Sequence, residues 1–210
     1  MDKIEQIKNA ISKSVKHESK LTEQQLAVGG FTSTKIRHLL NNLGAISNGY
    51  FEIGSHIGCS LVSASFGNDN LKNVIACDSF CEFQNDGNTK RQFLQNANEN
   101  LGEAGYKLLE KDCFTITKKE IPNTIDFYLF DGSHDYESQK KGVTYISPML
   151  ANEFTLCVDD TSWQAPRRGT FDGLAELGYE VVYEQSLWDG IESNADAWWN
   201  GFLVALIKRK

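Results

Sequence analysis

Four short apolar runs, each stopping on an acid or a glycine, constrain this chain more than anything else in it. They are GYFEIG at 49–54, NVIACD at 73–78, IDFYLFD at 125–131 and FTLCVDD at 154–160. The stretches between them, about 60–66, 88–101 and 136–150, carry helical character. KLLEKD at 107–112 is a weaker fifth run. Uninterrupted apolar strands that alternate with helices specify an α/β fold with a parallel sheet covered on both faces. In such sheets ligands bind outside the carboxyl ends of the strands, near the point where strand order reverses. The sequence puts Glu52, Asp78, Asp131, Asp159 and Asp160 at those ends.

The ends of the chain read differently. Residues 3–18 and 33–43 have helical spacing, with Gly29-Gly30 between them, so 1–44 is expected to be a helical extension and 45–210 the main domain. At the other end a helix near 165–177 leads to YEVVYE (179–184), a long excursion, and GFLVALIKRK. Two strands joined without a helix predict an antiparallel pair at one sheet edge.

Length and charge exclude several classes. A chain of 210 residues buries a full core without staples. A net charge of −7 argues against nucleic-acid partners, which need basic stripes, and against anionic lipid. No apolar stretch is long enough to span a membrane, and the charged N-terminus lacks the apolar segment of a secretion signal. Five cysteines with no CxxC pair read as reduced thiols, so a cytoplasmic location is expected. A homo-oligomer is compatible with all of this.

The turn after the first strand reads Glu52-Ile53-Gly54-Ser55-His56-Ile57-Gly58-Cys59-Ser60, or ExGxxxGxS. Gly54 permits a sharp exit from the strand, Gly58 close approach of backbone to a ligand, and Ser60 a helix cap. The plain alternative is a strand–helix turn with no ligand. A carboxylate two residues before the first glycine suits a cationic or hydroxyl-bearing ligand and repels a pyrophosphate. GxGxxG is absent, which weakens a nicotinamide-dependent dehydrogenase. Asp78 is placed to accept from ribose hydroxyls, or else merely starts a turn. Phe80 and Phe83 lie beside it, suited to cover a purine. Asp112-Cys113-Phe114 follows the weak strand, where it either meets an adenine or forms a simple turn.

Asp131, Asp159 and Asp160 close adjacent strands, so three carboxylates are expected to converge. Oxygen-only donors point to a hard cation, Mg²⁺ first. The alternative is a capping role and pairing with Arg167 or Arg168. His134, three residues after Asp131, is of the residue type that serves as a base near neutrality. The alternative is a loop histidine bonded to Asp135 or Glu137. Trp163, and the three tryptophans (Trp188, Trp198, Trp199) of excursion 186–201, suit an acceptor wall, a lid or an oligomer contact.

Together YFEIGSHIGCS, VIACDSF, FYLFDGSHDYESQKKGV and TLCVDD resemble a class I S-adenosylmethionine-dependent methyltransferase, across about residues 45–185. The ExGxxxGxS form is similar to the catechol O-methyltransferase branch, and DGSHDYE to macrolide-sugar O-methyltransferases. The resemblance implies a Rossmann-like, doubly wound sheet of seven strands with the last antiparallel. It implies cofactor contacts from Glu52, Gly54, Ser55, Gly58, Ser60, Asp78, Phe80, Asp112, Cys113 and Asp131. It implies Mg²⁺ on Asp131, Asp159 and Asp160, His134 as base, and a small hydroxylated acceptor such as a sugar. Alternatives are a metal-independent methyltransferase, and an inactive cofactor-binding or interaction module of the same fold.

Overall fold

Local chemistry starts most of the helices. In the computed structural model, which describes residues 2–81, 87–103 and 105–210, α1 (Lys3–Val15) begins where the Asp2 side chain accepts from the Glu5 amide. A short α2 (Glu23–Leu26) opens with a Thr22/Gln25 capping box. α3 (Thr34–Gly44) is capped by Ser33, whose hydroxyl accepts from Ile36 N–H.

The expected alternation follows: β1 (Gly49–Ile53), α4 (Cys59–Ser65), β2 (Asn73–Cys77), α5 (Asn88–Leu101), β3 (Lys107–Leu109) and β4 (Phe127–Phe130). Then come α6 (Tyr136–Ile146), β5 (Glu153–Val158), α7 (Gln164–Glu176), β6 (Glu180–Leu187) and β7 (Phe202–Lys208). One seven-stranded sheet forms in the order β3-β2-β1-β4-β5-β7-β6. The first five strands pair in parallel, and β7 runs antiparallel to both β5 and β6. Strand order reverses between β1 and β4, which are neighbours.

The inner strands β1, β4, β5 and β7 are buried on both faces, and their alternating side chains feed two cores. Tyr50, Phe127, Leu129, Cys157 and Val204 pack against α1, α3, α4 and α5. Phe51, Tyr128, Phe130 and Leu156 pack with Val143 and Ile146 of α6 and Leu174 of α7. The N-terminal helices therefore share a core with the sheet. Fully burying each such side chain contributes about 1.5–3 kcal/mol. Among the described residues no helix is long and apolar enough to cross a membrane.

Candidate active site

The sheet ladder carries the acids to one edge. Gly54 N–H donates to Cys77 O, Asp78 N–H to Leu109 O, Asp131 N–H to Ile53 O and Asp159 N–H to Phe130 O. Each acid is thus fixed at a strand end by its neighbour strand. Above this edge lies a cavity of about 490 Å³. Ser55, Ser60, Asp78, Asp112, Cys113, Asp131, His134, Asp159 and Asp160 line it, so the structure gathers most of the expected site residues around one space.

Gly54 is dictated by packing. It has φ +86°, and a Cβ there would stand 1.7 Å from the Asp131 carbonyl oxygen. Gly58 also has positive φ and starts α4, with no side-chain cap. Ser60 is therefore not the cap the sequence suggests; it lies one residue into the helix and lines the cavity.

Glu52 is buried, and its Oε2 accepts from the Tyr50 hydroxyl at 2.6 Å. Its Oε1 has no protein partner. Burial drives its pKa up to about 7, opposed by the nearby hydroxyls of Tyr50, Ser55 and Ser60. Asp78 ties two loops together, accepting from His56 N–H at 2.8 Å and from Phe80 N–H at 2.7 Å. Asp112 accepts from Phe114 N–H and so forms the turn while also lining the cavity.

Phe80 departs from expectation. It sits at φ +52°, turns into the core, meets Phe93 edge-on at 5.7 Å and is not among the residues that line the cavity. Phe83 lies outside the described residues.

The acidic corner is strained electrostatically. Desolvation pushes the Asp131 carboxyl well up, and Asp159 and Asp160 push it further. Burial, then Asp160, raises Asp159 likewise. Asp160, at φ +55°, is raised by burial and partly relieved by His134. Oδ1 of Asp159 and Oδ1 of Asp160 are buried without a partner. Hard, unpartnered oxygens of this kind fit a divalent cation. Yet among the described residues no group of three or more His, Cys, Asp or Glu side chains is gathered as a metal site. The expected three-carboxylate set is therefore not assembled, and Asp160 gives Oδ2 to His134 instead. Arg167 and Arg168 do not neutralise the corner, because they pair with Glu184 and Asp172.

His134 Nε2 lies 3.1 Å from Asp160 Oδ2, and its ring is edge-on to Trp163 at 5.6 Å. The local partner that sequence suggests, Asp135, is occupied capping α6, which holds its pKa down at about 2.

Sequence reasoning missed the roof of the cavity. Gly30, Phe31, Thr32, Ile36 and Leu40 from the N-terminal extension line it, with Trp199 and Phe202 from the far end of the chain. Phe31 stacks on His56 at 5.2 Å. Thr34 N–H donates to Ala195 O and joins the two segments. No local signal marks such a contact.

A family model described as a methyltransferase domain matches residues 51–161, just over half of the chain. No curated protein matches the sequence. Solved structures of the same fold do match. M. capricolum TrmK in complex with S-adenosylhomocysteine is 14% identical with TM-score 0.56, covering 81% of this chain and 67% of that one. An O-methyltransferase from Bacillus cereus in complex with the same compound is 12% identical with TM-score 0.56, covering 99% and 93%. The B. subtilis tRNA methyltransferase TrmK is 12% identical with TM-score 0.53, covering 92% and 68%. The chain spans about half the length of several other matching structures.

Proposed function

The chain belongs to the methyltransferase domain family, and on that premise we propose that it is an S-adenosylmethionine-dependent O-methyltransferase of small polar hydroxylated metabolites. One observation carries the reading. Three buried oxygens without a protein partner, Ser55 Oγ, Asp159 Oδ1 and Asp160 Oδ1, belong to residues that line one cavity, and a fourth, Glu52 Oε1, belongs to the strand residue just before the lining residues Ile53 and Gly54. Buried polar atoms are almost always paired, so a cluster of orphans marks where a ligand completes the bonding.

The residues divide by position. Glu52 Oε1 offers a charge-assisted acceptor to the α-ammonium of the cofactor's methionine end. Asp78 keeps a lone pair on each oxygen for ribose hydroxyls after taking its two amides. Asp112 and Cys113 stand on the adenine side. His134 Nε2, held by Asp160 Oδ2, leaves Nδ1 as the proton acceptor of the neutral ring. The acceptor hydroxyl gives its proton to Nδ1, and its oxygen lone pair forms the new C–O bond to the methyl carbon. The C–S bond breaks with its electron pair remaining on sulfur, which yields S-adenosylhomocysteine. Holding nucleophile and methyl in line supplies much of the acceleration.

Asp159 and Asp160, whose Oδ1 atoms are buried without a partner, are the residues that would hold Mg²⁺ at the acidic corner; among the described residues Asp131 is not gathered with them as a third ligand. When bound there, the cation supplies Lewis-acid polarisation of the acceptor hydroxyl. The acidic surface, with net charge −7, supports a small-molecule acceptor over tRNA. The test is transfer of labelled methyl from S-adenosylmethionine to a panel of sugars and phenols, with tRNA as a separate arm, in Mg²⁺ and in EDTA. Mg²⁺-dependent labelling of a small hydroxyl compound is expected. Labelling of tRNA alone overturns the acceptor class, and full activity in EDTA overturns the metal.

A further inference from the structure

The acceptor half of the cavity has a wall that no motif announces. The cofactor residues sit at the ends of β1, β2 and β3, whereas Asp159 and Asp160 close β5, and β5's other neighbour is β7. The residues leading into β7 include Trp199, which lines the cavity on this side. Its neighbour Trp198 is buried in the core instead.

Trp199 is held in place from several directions. It adopts φ +52°, a region that bulky residues enter only when surrounding structure imposes it. An antiparallel bridge joins it to Asn194. Ser162 N–H donates to Asn200 O at 2.9 Å and Thr161 N–H to Gly201 O at 3.1 Å, locking the segment onto the loop after Asp160. Thr34 N–H to Ala195 O fastens the same excursion to α3. Trp198 is buried, and Trp199, half-buried, packs against the same core while lining the cavity.

We infer that Trp199 is the specificity-determining residue of the acceptor half, selecting acceptors whose hydroxyl is carried on a ring. The inference rests on the proposed methyltransferase reading and deepens it. A fixed indole offers a large apolar surface and loses little conformational freedom on binding. A ring acceptor meets that surface with a face that is already rigid. An acyclic polyol must first freeze its torsions to do the same. The shared chemistry is a flat or CH-rich ring face with a hydroxyl at its edge, supplied by either a saturated sugar or an aromatic ring.

The test titrates three probes into the full-length protein saturated with S-adenosylhomocysteine: methyl α-glucopyranoside, 1,2-dihydroxybenzene and glycerol. At least one ring probe is expected to bind more tightly than glycerol, and the tighter one identifies the ring source. Trp199→Leu, which keeps bulk and removes planarity, is expected to narrow that preference roughly fivefold, the size of an aromatic stacking contribution. Trp199→Phe is expected to retain most of it. S-adenosylhomocysteine affinity is expected to be unchanged in both. On the unmutated protein, upfield ring-current shifts of the bound probe's protons give a readout that does not depend on how a variant folds. Equal binding of glycerol and both rings, a preference that survives Trp199→Leu, or absence of those shifts overturns the inference. Failure of the unmutated protein to bind S-adenosylhomocysteine is instead a failure of the methyltransferase reading.

Discussion

The two halves of the cavity are built by different means. The half proposed to hold the cofactor is largely a local product of sequence: a strand, a glycine turn and an acid at the next strand's end within residues 49–78, completed by Asp112 and Cys113 after β3. The rest of the cavity, proposed to take the acceptor, joins residues from opposite ends of the chain: Ile36 and Leu40 line it with Trp199 and Phe202, and Thr34 N–H donates to Ala195 O. Backbone geometry fixes the first half, and long-range packing assembles the second. A scaffold of this kind keeps one ligand constant while the other changes.

That contrast is breakable. The largest expected effect is chemical and lies on the acceptor side. His134→Ala should lower turnover roughly 10²- to 10⁴-fold, the usual contribution of a positioned base. Cofactor affinity, measured by calorimetry, should stay the same. A parallel loss of affinity would mean the halves are not separable.

Next comes the cofactor side. Gly54→Ala places a methyl against the Asp131 carbonyl oxygen at a φ that alanine disfavours. About 3 kcal/mol or more of stability should be lost, as for other strained or overpacked sites, and denaturant unfolding reads it directly. A neutral result would show that the β1 turn has room the structure denies it.

The smallest effect is a pH dependence. Glu52 is raised from 4.5 to about 7 by burial, and it must be ionised to accept an ammonium. Affinity for S-adenosylmethionine should therefore fall about tenfold per unit as pH drops below 7, and Glu52→Gln should flatten this slope while weakening binding. Without ligand the sign reverses. Between about 4.5 and 7 the folded state binds more protons at Glu52 than the unfolded chain, so this residue's contribution to stability falls as pH rises. Thermal unfolding of the wild type and Glu52→Gln at pH 5 and pH 8 separates the two effects.

The sequence was legible where structure is local. Strand ends near Gly54, Asp78, Asp131 and Asp159 followed from apolar runs that stop on a glycine or an acid, and the antiparallel β6–β7 pair from two runs without a helix between them. The glycine at 54 was readable as a turn, but its contact with Asp131 required knowing that β1 lies beside β4. Phe80 was misplaced because a left-handed φ swings its ring into the core, and nothing in CDSF encodes that φ. The place of His134 in the loop after β4 was readable, but its partner is Asp160, beyond β5, rather than the neighbouring Asp135, which the helix claims as a cap. Asp160 takes a left-handed φ and meets His134, and among the described residues the three acids at adjacent strand ends are not gathered as a metal site, none of which the sequence pattern showed.

The most direct test of the account is a calorimetric titration of the purified protein with S-adenosylmethionine in EDTA. One-to-one binding at micromolar affinity, weakened by Glu52→Gln, is the predicted result, because the proposed cofactor contacts, Glu52 Oε1 and Asp78, are protein groups that need no cation. No binding in EDTA, and none after Mg²⁺ is restored, would contradict it and assign the acids at the strand ends to a different ligand.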